Sequence, residues 1–119
     1  MRRLPTVLAA LVAVTISLLL PTAYARSDRT ATTTVTVKAS EWKFRLSTKV
    51  VHTGTVVFKV KNAGKLSHDF KINGKKTRLL ARGKTARLRV VFKRAGKYRY
   101  LCTVPGHAKL GMKGTLTVR

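Results

Sequence analysis

Two runs of this chain, TVVFKVK at residues 55–61 and ARLRVVF at 86–92, alternate apolar and polar side chains, and this period of two constrains the fold more than any other feature. Successive side chains of a strand point to opposite faces. Val56, Phe58 and Val60 therefore share one face, as do Ala86, Leu88, Val90 and Phe92, while Arg87, Arg89 and Lys93 turn to solvent. Shorter runs repeat the pattern with Val35 and Val37, with Trp42, Phe44 and Leu46, with Tyr98, Tyr100 and Cys102, and with Leu116 and Val118. Turn residues separate the runs at Gly54, Asn62-Ala63-Gly64, Asn73-Gly74, Gly83, Gly96, Pro105-Gly106 and Gly111. Closely spaced strands with such punctuation predict an all-β sandwich. No stretch sustains a helical period; only KKTRLLARGK, Lys75 to Lys84, is ambiguous.

A chain of 119 residues, 45% of them hydrophobic, builds one modest core. Its first segment reads as an address rather than as part of that core. Arg2 and Arg3 precede an uncharged apolar run from Leu4 to Leu20, then Pro21 and the small-x-small triplet Ala23-Tyr24-Ala25. This predicts a signal peptide over residues 1–25, cleaved after Ala25, with the route of export left open. The rival reading is a retained anchor, since no charge falls between Leu4 and Ala25. Residues 26–33 are polar and read as a mobile lead-in, with the folded domain over 34–119.

Removing residues 1–25 takes away Arg2 and Arg3 and lowers the net charge from +23 to +21. Such a charge attracts acidic proteins and anionic membrane or wall surfaces. An exported protein meets nucleic acid less often. The cations are scattered among apolar residues, so a uniformly solvated basic surface and a dedicated patch are both open readings.

Exported domains of this size are often stapled by disulfides, but a single cysteine, Cys102, cannot form one within the chain. The stretch CTVPGHAKLGM gives that cysteine a different context. Cys102 ends a strand, His107 follows five residues later, and Met112 five after that. A loop of this length can fold back so that thiolate, imidazole and thioether converge, a soft donor set suited to copper rather than calcium or magnesium. A trigonal copper site wants a second imidazole, and His68 in NAGKLSHDF, between a glycine turn and Phe70, is the candidate. His52, with no partner spacing, reads as a surface residue. The plainer alternative, a buried thiol with a core methionine, fits poorly with Pro105, Gly106 and Gly111, which mark the stretch as loop.

From Thr34 to Arg119 the chain resembles the cupredoxins, the small type 1 blue copper proteins of the plastocyanin, azurin and rusticyanin kind. NAGKLSHDF, GKYRYLCTVPGHAKLGM and the closing GTLTV carry the resemblance. It implies a Greek-key β-sandwich of about seven or eight strands. It also implies one copper ion, with His68, Cys102 and His107 in the trigonal plane and Met112 as the weak axial ligand. Asp69 stands where azurin and plastocyanin have Asn, and its side chain is expected, with that of Thr103, to tie the two ligand loops together.

Four protein ligands on rigid strand ends suit outer-sphere electron transfer rather than catalysis. Three histidines are also too few for the additional copper centres of the multicopper enzymes. The expected protein is an exported, monomeric single-electron carrier of the periplasm, envelope or extracellular space. Its redox partner, a cytochrome or oxidase, is expected to be acidic, and His107 to be the electron port. Copper delivery by the same ligands is the second reading. The third is a metal-free polyanion-binding module supported by charge alone.

Overall fold

The computed structural model describes residues 31–119, together with positions 5, 9–14, 16 and 17. The expected cleavage after Ala25 and residues 26–30 of the lead-in lie outside the described residues. Among the described residues, no helix is long and apolar enough to cross a membrane.

The described residues form nine strands: β1 (Thr33–Ser40), β2 (Lys43–Leu46), β3 (Val50–Val51), β4 (Gly54–Asn62), β5 (Lys71–Ile72), β6 (Lys75–Lys76), β7 (Thr85–Phe92), β8 (Gly96–Leu101) and β9 (Lys113–Val118). They form a four-stranded sheet in the order β2-β1-β4-β7 and a five-stranded sheet in the order β3-β9-β8-β5-β6. The all-β sandwich read from the alternation is therefore the fold. The count exceeds the expected seven or eight because β3, β5 and β6 are two-residue strands. Such strands are too short to show an alternation.

Register explains the core. In the four-stranded sheet Val37 lies opposite Val60, and Val60 opposite Ala86; Val35 lies opposite Phe58, and Phe58 opposite Leu88. These rows face Tyr100, Leu116 and Val118 of the second sheet, and all but the partly covered Ala86 are buried. Each large apolar side chain so enclosed contributes about 1.5–3 kcal/mol relative to exposure. Phe70 is the keystone at one end: its ring centroid lies 5.2 Å from both Phe44 and Phe58, and 5.5 Å from Tyr100.

The ambiguous stretch Lys75 to Lys84 is not helical. It forms β6 and then an extended segment whose Leu80 exchanges backbone hydrogen bonds with His68, Leu80 N–H to His68 O at 2.8 Å and the reverse at 3.0 Å. Tertiary pairing with a distant loop gives this segment its shape, which no local period could reveal.

Candidate metal centre

The strands β1, β4 and β8 all deliver their C-terminal ends to one end of the sandwich. The loop from Cys102 to Met112 folds back there on its own backbone. Cys102 N–H donates to Met112 O at 3.1 Å, and Met112 N–H donates to His107 O at 3.1 Å. Gly111 makes the return possible, since its φ is +125° and an added Cβ would stand 2.9 Å from the Trp42 carbonyl oxygen. Cys102 and Met112 are buried together in one cluster with Ala39.

His68 arrives from the loop after β4. Asn62, fully buried at the end of that strand, organises the loop with all of its amide group: Nδ2 donates to Leu66 O (2.7 Å) and Leu80 O (2.8 Å), and Oδ1 accepts from Gly64 N–H (2.9 Å). His68 Nδ1 then lies 3.1 Å from His107 Nδ1, which lies 3.6 Å from Cys102 Sγ. The donor atoms of His68, Cys102 and His107 all fall within 4.8 Å of one another. A triangle with sides of about 3.5 Å has its centre roughly 2 Å from each corner, close to the bonds that imidazole nitrogen and thiolate sulfur make to a first-row metal. Two of the three separations are of this size and the third is no more than 4.8 Å, so the donor set suits such a metal. His52 is exposed, as expected.

Two carboxylates surround these donors. Asp69 accepts from Thr103 N–H at 2.6 Å and from the Thr103 hydroxyl, so the loop carrying His68 is tied to the residue after Cys102 as expected. Glu41 was not singled out by sequence reasoning. Its Oε1 accepts from the N–H groups of Lys65 and Leu66, both at 2.7 Å, and lies 3.2 Å from His68 Nε2. Gly64 leaves the room: a Cβ there would come within 2.6 Å of both Glu41 carboxylate oxygens. The chain has only three acidic residues, and the two in the folded domain both touch this centre; that scarcity was the one available signal.

Protonation follows from these contacts. The N–H of Leu66, followed by weaker contributions that include His68, lowers the Glu41 carboxyl from 4.5 to about 2, so it is a carboxylate at neutral pH. A carboxylate only accepts, so the His68 proton sits on Nε2 and the Nδ1 lone pair is bare, aimed at the other donors. Burial lowers the pKa of His107 and raises that of the Cys102 thiol. His68 has no solvent exposure and His107 is 8% exposed, with Trp42 edge-on to it at 4.9 Å.

A β-sandwich that gathers two imidazoles and a thiol at one buried end is a cupredoxin, and its cofactor is a single type 1 copper ion. The model of the copper-binding proteins of the plastocyanin/azurin family matches residues 29–119, and the chain belongs to that family. Solved structures agree on the fold. Reduced auracyanin from the photosynthetic bacterium Roseiflexus castenholzii superposes with a TM-score of 0.64 at 22% identity, covering 73% of this chain and 97% of that one. Rusticyanin from Thiobacillus ferrooxidans gives 0.63 at 24% identity, covering 74% and 77%. A copper-containing nitrite reductase from Thermus scotoductus gives 0.62 at 21%, covering 75% of this chain and only 28% of the enzyme. No curated protein sequence matches the chain.

Proposed function

We propose that the protein is a single-electron carrier, with His68 Nδ1, Cys102 Sγ and His107 Nδ1 as equatorial copper ligands and Met112 as the axial one. The observation that carries this reading is the enclosure of all four side chains, of which His107, at 8%, is the most exposed. A substrate has no route to such a centre, whereas an electron needs none. Copper supplies the one-electron couple. The protein holds the donors in one geometry through the Asn62, Glu41 and Asp69 contacts, which keeps rearrangement small on either side of the transfer.

His107 is the port by which electrons enter and leave, because it is the most exposed of the four residues. The likeness to one segment of a nitrite reductase concerns the fold. A carrier role rather than catalysis is supported here by the enclosed donor set and by a chain that offers three histidines in all. Export is supported by Arg2, Arg3, the apolar run and the Ala23-Tyr24-Ala25 site, which together read as a signal peptide over 1–25 ahead of the domain at 34–119. The redox partner is an acidic protein, approached faster at low salt because of the net charge.

The deciding experiment is a Cu(II) titration followed by visible absorption, beside the Cys102→Ser variant, and then voltammetry and transfer of metal to a chelator. An intense thiolate band saturating at one equivalent, a reversible couple and slow metal release are the expected results. Rapid release to the chelator would instead establish copper delivery.

A further inference from the structure

The outer face of the four-stranded sheet is paired in a way that works against the stability of the isolated protein. Lys38 lies directly opposite both Arg45 and Lys61, and Lys59 lies directly opposite Arg87. Side chains so paired have Cβ atoms about 5 Å apart, and like charges there are destabilising. The same strands carry no acidic residue. On the other sheet the long strands avoid this arrangement: Lys97 faces Thr117, Arg99 faces Thr115, and Lys113 faces Leu101, leaving one like pair, Lys71 and Lys76, in the small hairpin. The two faces of a chain basic throughout are thus organised differently.

The cationic face is also concave. A groove of about 420 Å³ runs over β4 and β7, where Lys59, Lys61, Arg78 and Arg87 line it with Thr36 and Thr85. Arg78 is held in place, its Nη2 donating to Thr85 O at 2.9 Å. Its guanidinium and that of Arg87 are suited to phosphate by their planar forks.

We infer that this groove binds a linear phosphate-bearing polyanion along the wall of the sandwich, leaving the metal end free for its redox partner. The concavity suits a narrow chain better than a flat bilayer. The face presents no aromatic ring on which a nucleic-acid base would stack, so recognition rests on charge alone. Bound phosphates relieve the repulsion that the cross-strand pairs store.

The test uses the copper-loaded protein and linear inorganic polyphosphate, titrated across salt. With four groove cations neutralised, the logarithmic salt slope is about −3, so affinity falls roughly 50-fold between about 50 and 200 mM salt. Neutralising one pair, Lys59→Gln with Arg87→Gln, weakens binding by about tenfold or more and flattens the slope toward half. The control pair Lys97→Gln with Arg99→Gln, an equal loss of charge on the opposite sheet, changes affinity by no more than about twofold on this electrostatic basis. The blue band reports that each variant is folded, and removing a like pair should not unfold the sheet.

Equal weakening by the two pairs would show diffuse attraction and overturn the proposal. So would binding to phosphatidylglycerol-containing vesicles without binding to polyphosphate, or preference for single-stranded DNA over polyphosphate at equal charge.

Discussion

Glu41 Oε1 stands 3.2 Å from His68 Nε2 while accepting two backbone N–H groups from the loop that carries this histidine. One carboxylate thereby sets the loop, the ring orientation and the tautomer of a buried histidine. It also places negative charge behind the imidazole, which favours the more highly charged copper state.

Glu41→Gln keeps an acceptor for the loop but removes the charge, so the reduction potential should rise, with each tenfold change in relative affinity for the two oxidation states reading as about 59 mV. Glu41→Ala removes both functions and should weaken copper binding about 10–100-fold. Voltammetry and competition with a chelator separate the two effects. An unchanged potential in the Gln variant would remove the charge from the account.

Gly64→Ala should imitate the loss of Glu41 without touching a ligand. The new Cβ meets the flexible carboxylate end of Glu41 rather than backbone, so the carboxylate moves off while the fold survives. The expected result is a raised potential with a thermal midpoint lowered no further than in Glu41→Ala. A large drop in the midpoint would show that the loop itself had no room.

Asp69→Ala should cost about 1–3 kcal/mol of stability in the metal-free protein, because Thr103 N–H loses its acceptor in a largely enclosed site. Denaturant unfolding checks this. Asp69→Asn, which retains an acceptor oxygen, should recover much of the loss. Its potential then reports the effect of charge alone.

Copper affinity should rise by about tenfold per pH unit below the pKa of Cys102, which burial raises, because binding displaces the thiol proton. Calorimetry in buffers of different ionisation enthalpy should count about one proton released on that basis. In the metal-free protein Glu41, lowered from 4.5 to about 2, stabilises the fold above pH 4.5. That contribution disappears as pH falls toward 2, since the unfolded chain takes up the proton first. The difference in unfolding midpoint between parent and Glu41→Gln should therefore shrink from pH 5 to pH 2.

What the sequence determined by itself was everything carried by short-range order. Alternation within β4 and β7 assigns Val56, Phe58, Val60, Leu88, Val90 and Phe92 to the core, because successive side chains of a strand cannot share a face. The spacing of Cys102, His107 and Met112 was legible for the same reason: eleven residues of loop closed by glycine have few ways to run. His68 was harder, since it lies 39 residues before His107 and is linked to it by no local period. Glu41 and the buried hydrogen bonding of Asn62 lay beyond that reach. Only the parallel pairing of β1 with β4 brings the residue after Ser40 against the loop after Asn62, and such pairing is settled by the packing of whole sheets rather than by neighbours in the chain. The same pairing sets Lys38 against Lys61. A sequence names the charges it carries; which of them must face one another is decided in the fold.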